Sequence, residues 1–151
     1  MTITVRQAEV GDLQVLWKIE KECFRVEAFT KEQIAHILKS PAGVSLVAQI
    51  DHAIVGFILG LIYEFDEIKA GHIFTIDVLV EHRRKGVASR LLGEFERSLI
   101  KKDVRTCFLE VRADNVAARR LYRKHGYTEV KRLKDYYGDG VDGLRLKKSL
   151  V

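Results

Sequence analysis

The strongest constraint on the fold is a change of period in the middle of the chain. "VSLVAQI" at 44–50 and "AIVGFILGLIY" at 53–63 are β-rich runs separated only by Asp51 and His52, and "HIFTIDVLV" at 72–80 is a third. Two such runs joined by two turn-forming residues predict a β-hairpin. The apolar positions of "GVASRLLGEFERSLIKK", residues 86–102, then recur at helical spacing, and "TCFLEV" at 106–111 returns to a strand pattern. A strand, a helix and a strand of these lengths form a parallel step, and such crossovers are right-handed in nearly every known case. The sheet is therefore expected to be mixed, with this as its one parallel pair.

The flanking segments extend that sheet. "TITVRQA" alternates Ile3 and Val5 with polar residues, as a half-buried first strand does. Asp12 is placed to cap a helix whose Leu13, Leu16, Trp17, Cys23 and Phe24 share one face. Thr30 and Gln33 have capping-box spacing ahead of "KEQIAHILKS", which Pro41 follows. A short helix, "NVAARRLYRKHG", and two runs around "YTEVKRL" and "GLRLKKSL" close the chain. The order β-α-α-β-β-β-α-β-α-β-β contains no repeat, no low-complexity linker and no break in composition. We expect one α/β domain over residues 1–151, with a mixed, mostly antiparallel central sheet of about seven strands flanked by four helices.

Composition narrows the function classes. With 47% hydrophobic and 31% charged residues the chain has the apolar mass for a real core, which argues against disorder. Its longest apolar runs are interrupted by glycine and fall short of the roughly 20 residues that span a membrane, so no membrane partner is expected. "MTITVRQAEV" lacks the features of a signal peptide, and a cytoplasmic location is the expectation. Cys23 and Cys107 lie far apart among apolar neighbours and are expected as buried, reduced thiols. His36, His52, His72, His82 and His125 show no metal-ligand spacing, and neither a metal nor a catalytic role is expected for them. Lys and Arg outnumber Asp and Glu by 26 to 21, a surplus that suits a phosphate-bearing partner without naming one.

The turn "RRKGVASRLL", residues 83–92, gives that surplus a place. A strand leading into a helix start points backbone N–H groups outward where the helix dipole is positive. Gly86 and the small Ala88 leave room for close approach, and Ser89 adds a hydroxyl. A solvated basic loop is the plain alternative for this hexapeptide taken alone. The chain has no G-x-x-x-x-G-K-[ST] loop and no G-x-G-x-x-G after its first strand. No recognition-helix or aromatic-interleaved basic strand points to nucleic acid.

"TIDVLVEHRRKGVASRLL", followed by "CFLEVRADNVAARRLYRKHGY", resembles the acetyl-CoA-binding motifs of the GCN5-related N-acetyltransferase (GNAT) superfamily. Arg83, Gly86 and Ala88 match its R/Q-x-x-G-x-G/A signature, and the later segments look most like the RimI-type and archaeal enzymes that acetylate protein amino termini. The resemblance implies the GNAT fold, with a strand that splays open at the cofactor site, and acetyl-CoA as cosubstrate. It implies that the main chain of Ile76, Asp77 and Val78 pairs with the pantetheine arm. The amides of Arg84, Lys85, Gly86, Val87, Ala88 and Ser89 would hold the pyrophosphate, and Asn115 would bond the pantetheine.

By position in the same resemblance, Glu110 is the general base and Tyr122 the general acid. "RVEAF" resembles a loop that sets a glutamate beside the acceptor, which makes Glu27 the rival base or an auxiliary residue and Phe29 a substrate contact. Tyr136 and Tyr137 resemble the paired tyrosines that close over the acceptor's first residue, with a pair that merely flanks the Asp139–Gly140 turn as the plain alternative. Burial within an apolar strand is expected to raise the Glu110 pKa toward working pH. The implied reaction is acetyl transfer to the α-amine of a protein or peptide amino terminus. A lysine or small-molecule amine acetyltransferase with the same cofactor site is the alternative, and the oligomeric state is left open.

Overall fold

The computed structural model describes residues 2–150, with only the backbone described at Phe65; Met1 and Val151 of the expected 1–151 span lie outside the described residues. The strands are β1 (Thr4–Gln7), β2 (Gly43–Ile50), β3 (Ala53–Phe65), β4 (Ile68–Val78), β5 (Thr106–Arg112), β6 (Thr128–Leu133) and β7 (Gly143–Ser149). They form one sheet in the order β1-β2-β3-β4-β5-β7-β6. Every neighbouring pair is antiparallel except β4 and β5. The helices are α1 (Leu13–Cys23), α2 (Lys31–Lys39), α3 (Val87–Lys101) and α4 (Val116–Lys124). This is the expected mixed α/β architecture, with the parallel step where the change of period put it.

Local chemistry explains most boundaries. Asp51 and His52 take φ of 51° and 69°, the paired positive values that let a two-residue turn follow the twist of the β2–β3 hairpin. Thr30 Oγ1 accepts from the Gln33 amide at 3.1 Å while Gln33 Oε1 accepts from the Thr30 amide at 2.8 Å, closing the capping box of α2. Asp12 behaves differently from expectation and makes no side-chain cap on α1. Its carboxylate instead takes the Glu9 amide at 2.7 Å and the Arg6 guanidinium at 2.9 Å, because the chain enters α1 through a single 3-10 turn, Val10–Asp12.

Helices cover the two faces of the sheet unequally. On one face α3 and α4 bury a cluster that includes Leu91, Leu92, Phe95 and Leu99 of α3, Leu109 and Val111 of β5, and Leu144 and Leu146 of β7. On the other, Leu16 and Ile19 of α1 and Ile34 and Ile37 of α2 pack over Val47, Phe57 and Leu59 of β2 and β3. Removing either set from water is worth about 25 cal/mol per Å² of apolar area, which is what holds the layers together. Cys107 is fully buried, as expected, whereas Cys23 at the end of α1 is only half-buried; both are free thiols.

Candidate active site

Two irregularities in β4 open the sheet. β4 and β5 pair only at Gly71, His72 and Ile73 with Cys107, Phe108 and Leu109. Beyond that, β4 continues along β3 and β5 along β7, so the two strands part. One residue beyond Ile73, the last residue paired with β5, the register against β3 slips between Leu59 and Gly60, which leaves Phe74 as an extra residue in β4. Such a bulge bends its strand and re-aims side chains. Phe74 and Thr75 consequently both face the α1 side, Phe74 within its apolar cluster and Thr75 toward Glu20.

The register decides which main-chain groups look into the gap. Leu79 N–H donates to the Val55 carbonyl at 2.9 Å, and hydrogen-bonded positions alternate along an antiparallel pair. Asp77 therefore spends its N–H and C=O on β3, while Ile76 presents both of its groups and Val78 its N–H toward the gap. This corrects the expectation for Asp77. Its side chain is buried on the α1 side, where Thr75 Oγ1 lies 2.5 Å from Asp77 Oδ1 and 3.3 Å from Glu20 Oε1. Burial, then the neighbouring Glu20 charge, pushes the Asp77 carboxyl well above its usual range, and burial likewise raises Glu20. Two buried carboxyls this close share a proton rather than both ionise. Glu20 Oε2 also accepts from the Phe29 amide at 3.1 Å, which ties the loop between α1 and α2 to the splayed strand.

Past Val78 the chain makes the basic turn. Arg84 and Gly86 take φ of 62° and 85°, and the position of a Gly86 Cβ has nothing within 4 Å. Arg90 N–H is the first to bond back, to the Gly86 carbonyl at 3.0 Å; among the described residues the amides of 84–89 make no hydrogen bond. Open space in front of unpaired amides at a helix start fits a phosphate group. Two of the expected polar side chains are committed elsewhere. Arg83 Nε donates to the Val78 carbonyl at 3.0 Å, bracing the end of β4, and the Ser89 hydroxyl meets His125 Nε2 at 2.9 Å.

The gap widens into a cleft of about 350 Å³ that brings together Glu27, Phe29, Ile76, Glu110, Asn115, Tyr122, Tyr136 and Tyr137. Asn115 Oδ1 caps α4 by accepting from the Ala118 amide at 3.2 Å, which leaves its side-chain NH2 group uncommitted. Tyr122 is 8% exposed, and burial, then the Asp77 charge, drives its pKa up, so the phenol keeps its proton. Glu27 pairs with the Arg112 guanidinium, which also holds Asp114 at 2.9 Å. Tyr136 and Tyr137 stack edge to face, centroids 4.9 Å apart, over Gly143. A Cβ at Gly143 would stand 3.0 Å from the Tyr137 ring, so the absence of a side chain there lets the pair lie down on β7.

Glu110 departs from expectation. Burial does push its carboxyl up, but His72 and Arg145 outweigh it and hold the pKa below its ordinary value. Arg145 Nε donates to Glu110 Oε2 at 3.0 Å, and His72 Nε2 lies 2.6 Å from Glu110 Oε1. His72, to which the sequence assigned no role, thus stands in the cleft as the partner of the candidate base. The only sequence signal for it was its strand parity, which needs the β4–β5 register to become a contact. No group of metal-ligating residues occurs among the described residues.

The sequence profile of the acetyltransferase (GNAT) family matches residues 13–127. The chain belongs to this family. An N-alpha-acetyltransferase of Saccharolobus solfataricus is 34% identical to it over 157 residues, covering 97% of this chain and 93% of the relative. Among solved structures, the ribosomal-protein-S18-alanine N-acetyltransferase of Escherichia coli superposes with a TM-score of 0.86 at 23% identity, covering 99% and 94% of the two chains. Arabidopsis thaliana NAA60 in complex with acetyl-CoA gives 0.86 at 24% identity and 98% of each. The GNAT chain therefore shares its fold with these two acetyltransferases.

Proposed function

We propose that this GNAT protein, acting as one domain, transfers the acetyl group of acetyl-CoA to the α-amine of protein amino termini. The observation that carries the reading is the splayed sheet, in which an unpaired strand edge leads from the free amides at the start of α3 toward a cleft that holds an ionised carboxylate–histidine pair and a buried tyrosine. The name of the S. solfataricus relative supports the acceptor class. A cytoplasmic location belongs to the same proposal.

Acetyl-CoA supplies an acetyl thioester whose carbonyl carbon an amine can attack. The amides of residues 84–89 hold its pyrophosphate, and Ile76, Val78 and Asn115 align its pantetheine arm. Glu110 attracts the acceptor ammonium. An ionised carboxylate 2.6 Å from His72 favours the tautomer with hydrogen on Nε2, which leaves a lone pair on Nδ1. The pair together takes the proton that the carboxylate alone, its pKa held down, accepts poorly. Tyr122, kept protonated by its burial, donates to the departing sulfur.

Reference pKa values near 8 for an α-amine and about 10.4 for lysine leave about a fifth of the former neutral at pH 7.4, but only about a thousandth of the latter. A base of modest strength therefore suits chain ends. The deciding experiment compares a lysine-free peptide bearing a free amino terminus with one that is blocked and carries an internal lysine. The expected result is a kcat/KM at least about tenfold higher on the first. Equal values would move the acceptor to lysine or small amines and leave the cofactor site untouched.

A further inference from the structure

The half of the sheet beyond β4 is bare on the side that holds the acceptor end of the cleft. α1 and α2 pack over β2, β3 and β4, and α3 and α4 lie on the opposite face. Alternation along β5 sends Cys107, Leu109 and Val111 into the α3 core and presents Phe108, Glu110 and Arg112 on the bare face. Along β7 it buries Leu144 and Leu146 and presents Arg145 and Lys147, and Lys131 of β6 stands opposite Arg145. Glu110 is thus one end of a surface that runs out of the cleft along β5 to Phe108, with Lys147 beside it on β7, and sideways across Arg145 to Lys131 on β6.

The charges on this surface are not equivalent. Arg112 is spent on Glu27 and Asp114, and Arg145 on Glu110. Lys147 has no carboxylate partner among the described residues; its ammonium lies 5.7 Å from the Phe108 ring centroid. Lys131 is exposed and equally without an ion-pair partner among the described residues. Tyr63, 48% exposed on β3, prolongs the apolar strip.

We propose that this face binds the acceptor chain beyond its first residue and favours acidic side chains at about its third to fifth positions. The proposal rests on the amino-terminal reading above. An extended chain advances about 3.3 to 3.6 Å per residue, and strand residues two apart lie about 7 Å from one another. A terminus seated at Glu110 therefore lays its next residues over Phe108, with Lys147 and Lys131 in reach of the following carboxylates. A polyanionic nucleic-acid backbone fits less well, because it would also have to pass Glu110 and Glu27 at the cleft, where a peptide brings an ammonium.

Three lysine-free peptides test it, alike in length and first residue, with a free amino terminus and with glutamate, glutamine or arginine at positions three to five. At about 20 mM salt the glutamate peptide is expected to exceed the arginine peptide in kcat/KM by at least about tenfold, narrowing to about threefold at about 500 mM. The double variant Lys131→Glu, Lys147→Glu should invert that order, and its acetyl-CoA Kd reports that the cleft is intact. One rate for all three peptides, an order unmoved by the double variant, or stronger competition by a short single-stranded RNA than by the glutamate peptide overturns the proposal. Failure to acetylate even the glutamine peptide would instead sink the amino-terminal reading, and this inference with it.

Discussion

At one end of the opening in the sheet, at the start of α3, the groups offered to a ligand are main-chain amides of residues 84–89 and the outward edge of β4 at Ile76. At the other end they are side chains, Glu27, His72, Glu110, Tyr136 and Tyr137, brought from the α1–α2 loop, β4, β5 and the β6–β7 loop. The difference is one of robustness. Backbone groups stay in place under most substitutions, so only a residue that blocks or strains them does harm. A site of side chains depends on each pair that orients it, and every broken pair leaves a partner uncompensated at partial burial.

The largest effect is expected where the chemistry is all side chain. Glu110→Gln keeps the shape but removes the charge that attracts the ammonium and supports His72, and kcat should fall by about 10³ with the acetyl-CoA Kd unchanged. A kcat within about threefold of the parent would show that the acceptor end does not depend on this pair. At the backbone end, Gly86→Val fills the open space and strains a φ of 85°, so calorimetry should give at least about 30-fold weaker acetyl-CoA binding, whereas Lys85→Ala costs no more than about threefold. Should the two variants bind alike, charge rather than amides holds the phosphates.

Arg112→Met tests the acceptor end more gently. It frees Glu27 and unties the α1–α2 loop from β5, so the acceptor KM should rise about tenfold while acetyl-CoA affinity holds. The smallest effect concerns the Glu20–Asp77 pair between the two ends. Because the Asp77 pKa is raised in the folded protein, the folded state binds the proton more tightly than the unfolded one does. Its contribution is complete below about pH 4, the ordinary carboxylate range, and is lost as pH rises through the raised value. Asp77→Asn lets an amide donate to Glu20 without a shared proton. It should raise Tm by about 3 °C at pH 8, corresponding to about 1 kcal/mol, and give no gain at pH 4. A gain of equal size at both pH values would mean that the two carboxyls are not competing for a proton.

Legibility followed the same division. The turn at 83–89 could be read directly because contiguous residues make it, and Gly86, Ala88 and the helix start are all local. Seven strands, four helices and the one parallel step followed from period and turn chemistry for the same reason. Strand boundaries were less legible: β4 begins at Ile68, four residues before the apolar run at 72–80, and ends at Val78. Asp139 and Gly140 form the centre of a tight turn inside the longer 134–142 connection, where Val141 N–H reaches the Gly138 carbonyl at 3.0 Å.

What the sequence determined by itself is whatever depends on neighbours within a few residues: the element types, the left-handed glycine at the helix start, the capping box at Thr30, and the motifs that mark the family. What only the tertiary structure decided depends on register. The bulge at Phe74 and the alternation that follows it turn Asp77 away from the gap and onto Glu20. The three-residue β4–β5 pairing sets His72 beside Glu110, and Arg145 arrives from β7 to reverse the direction in which burial alone would move that carboxylate. A one-residue slip in a strand exchanges its faces, so residues 38 apart in sequence become a catalytic pair or strangers according to a pairing that no local pattern records.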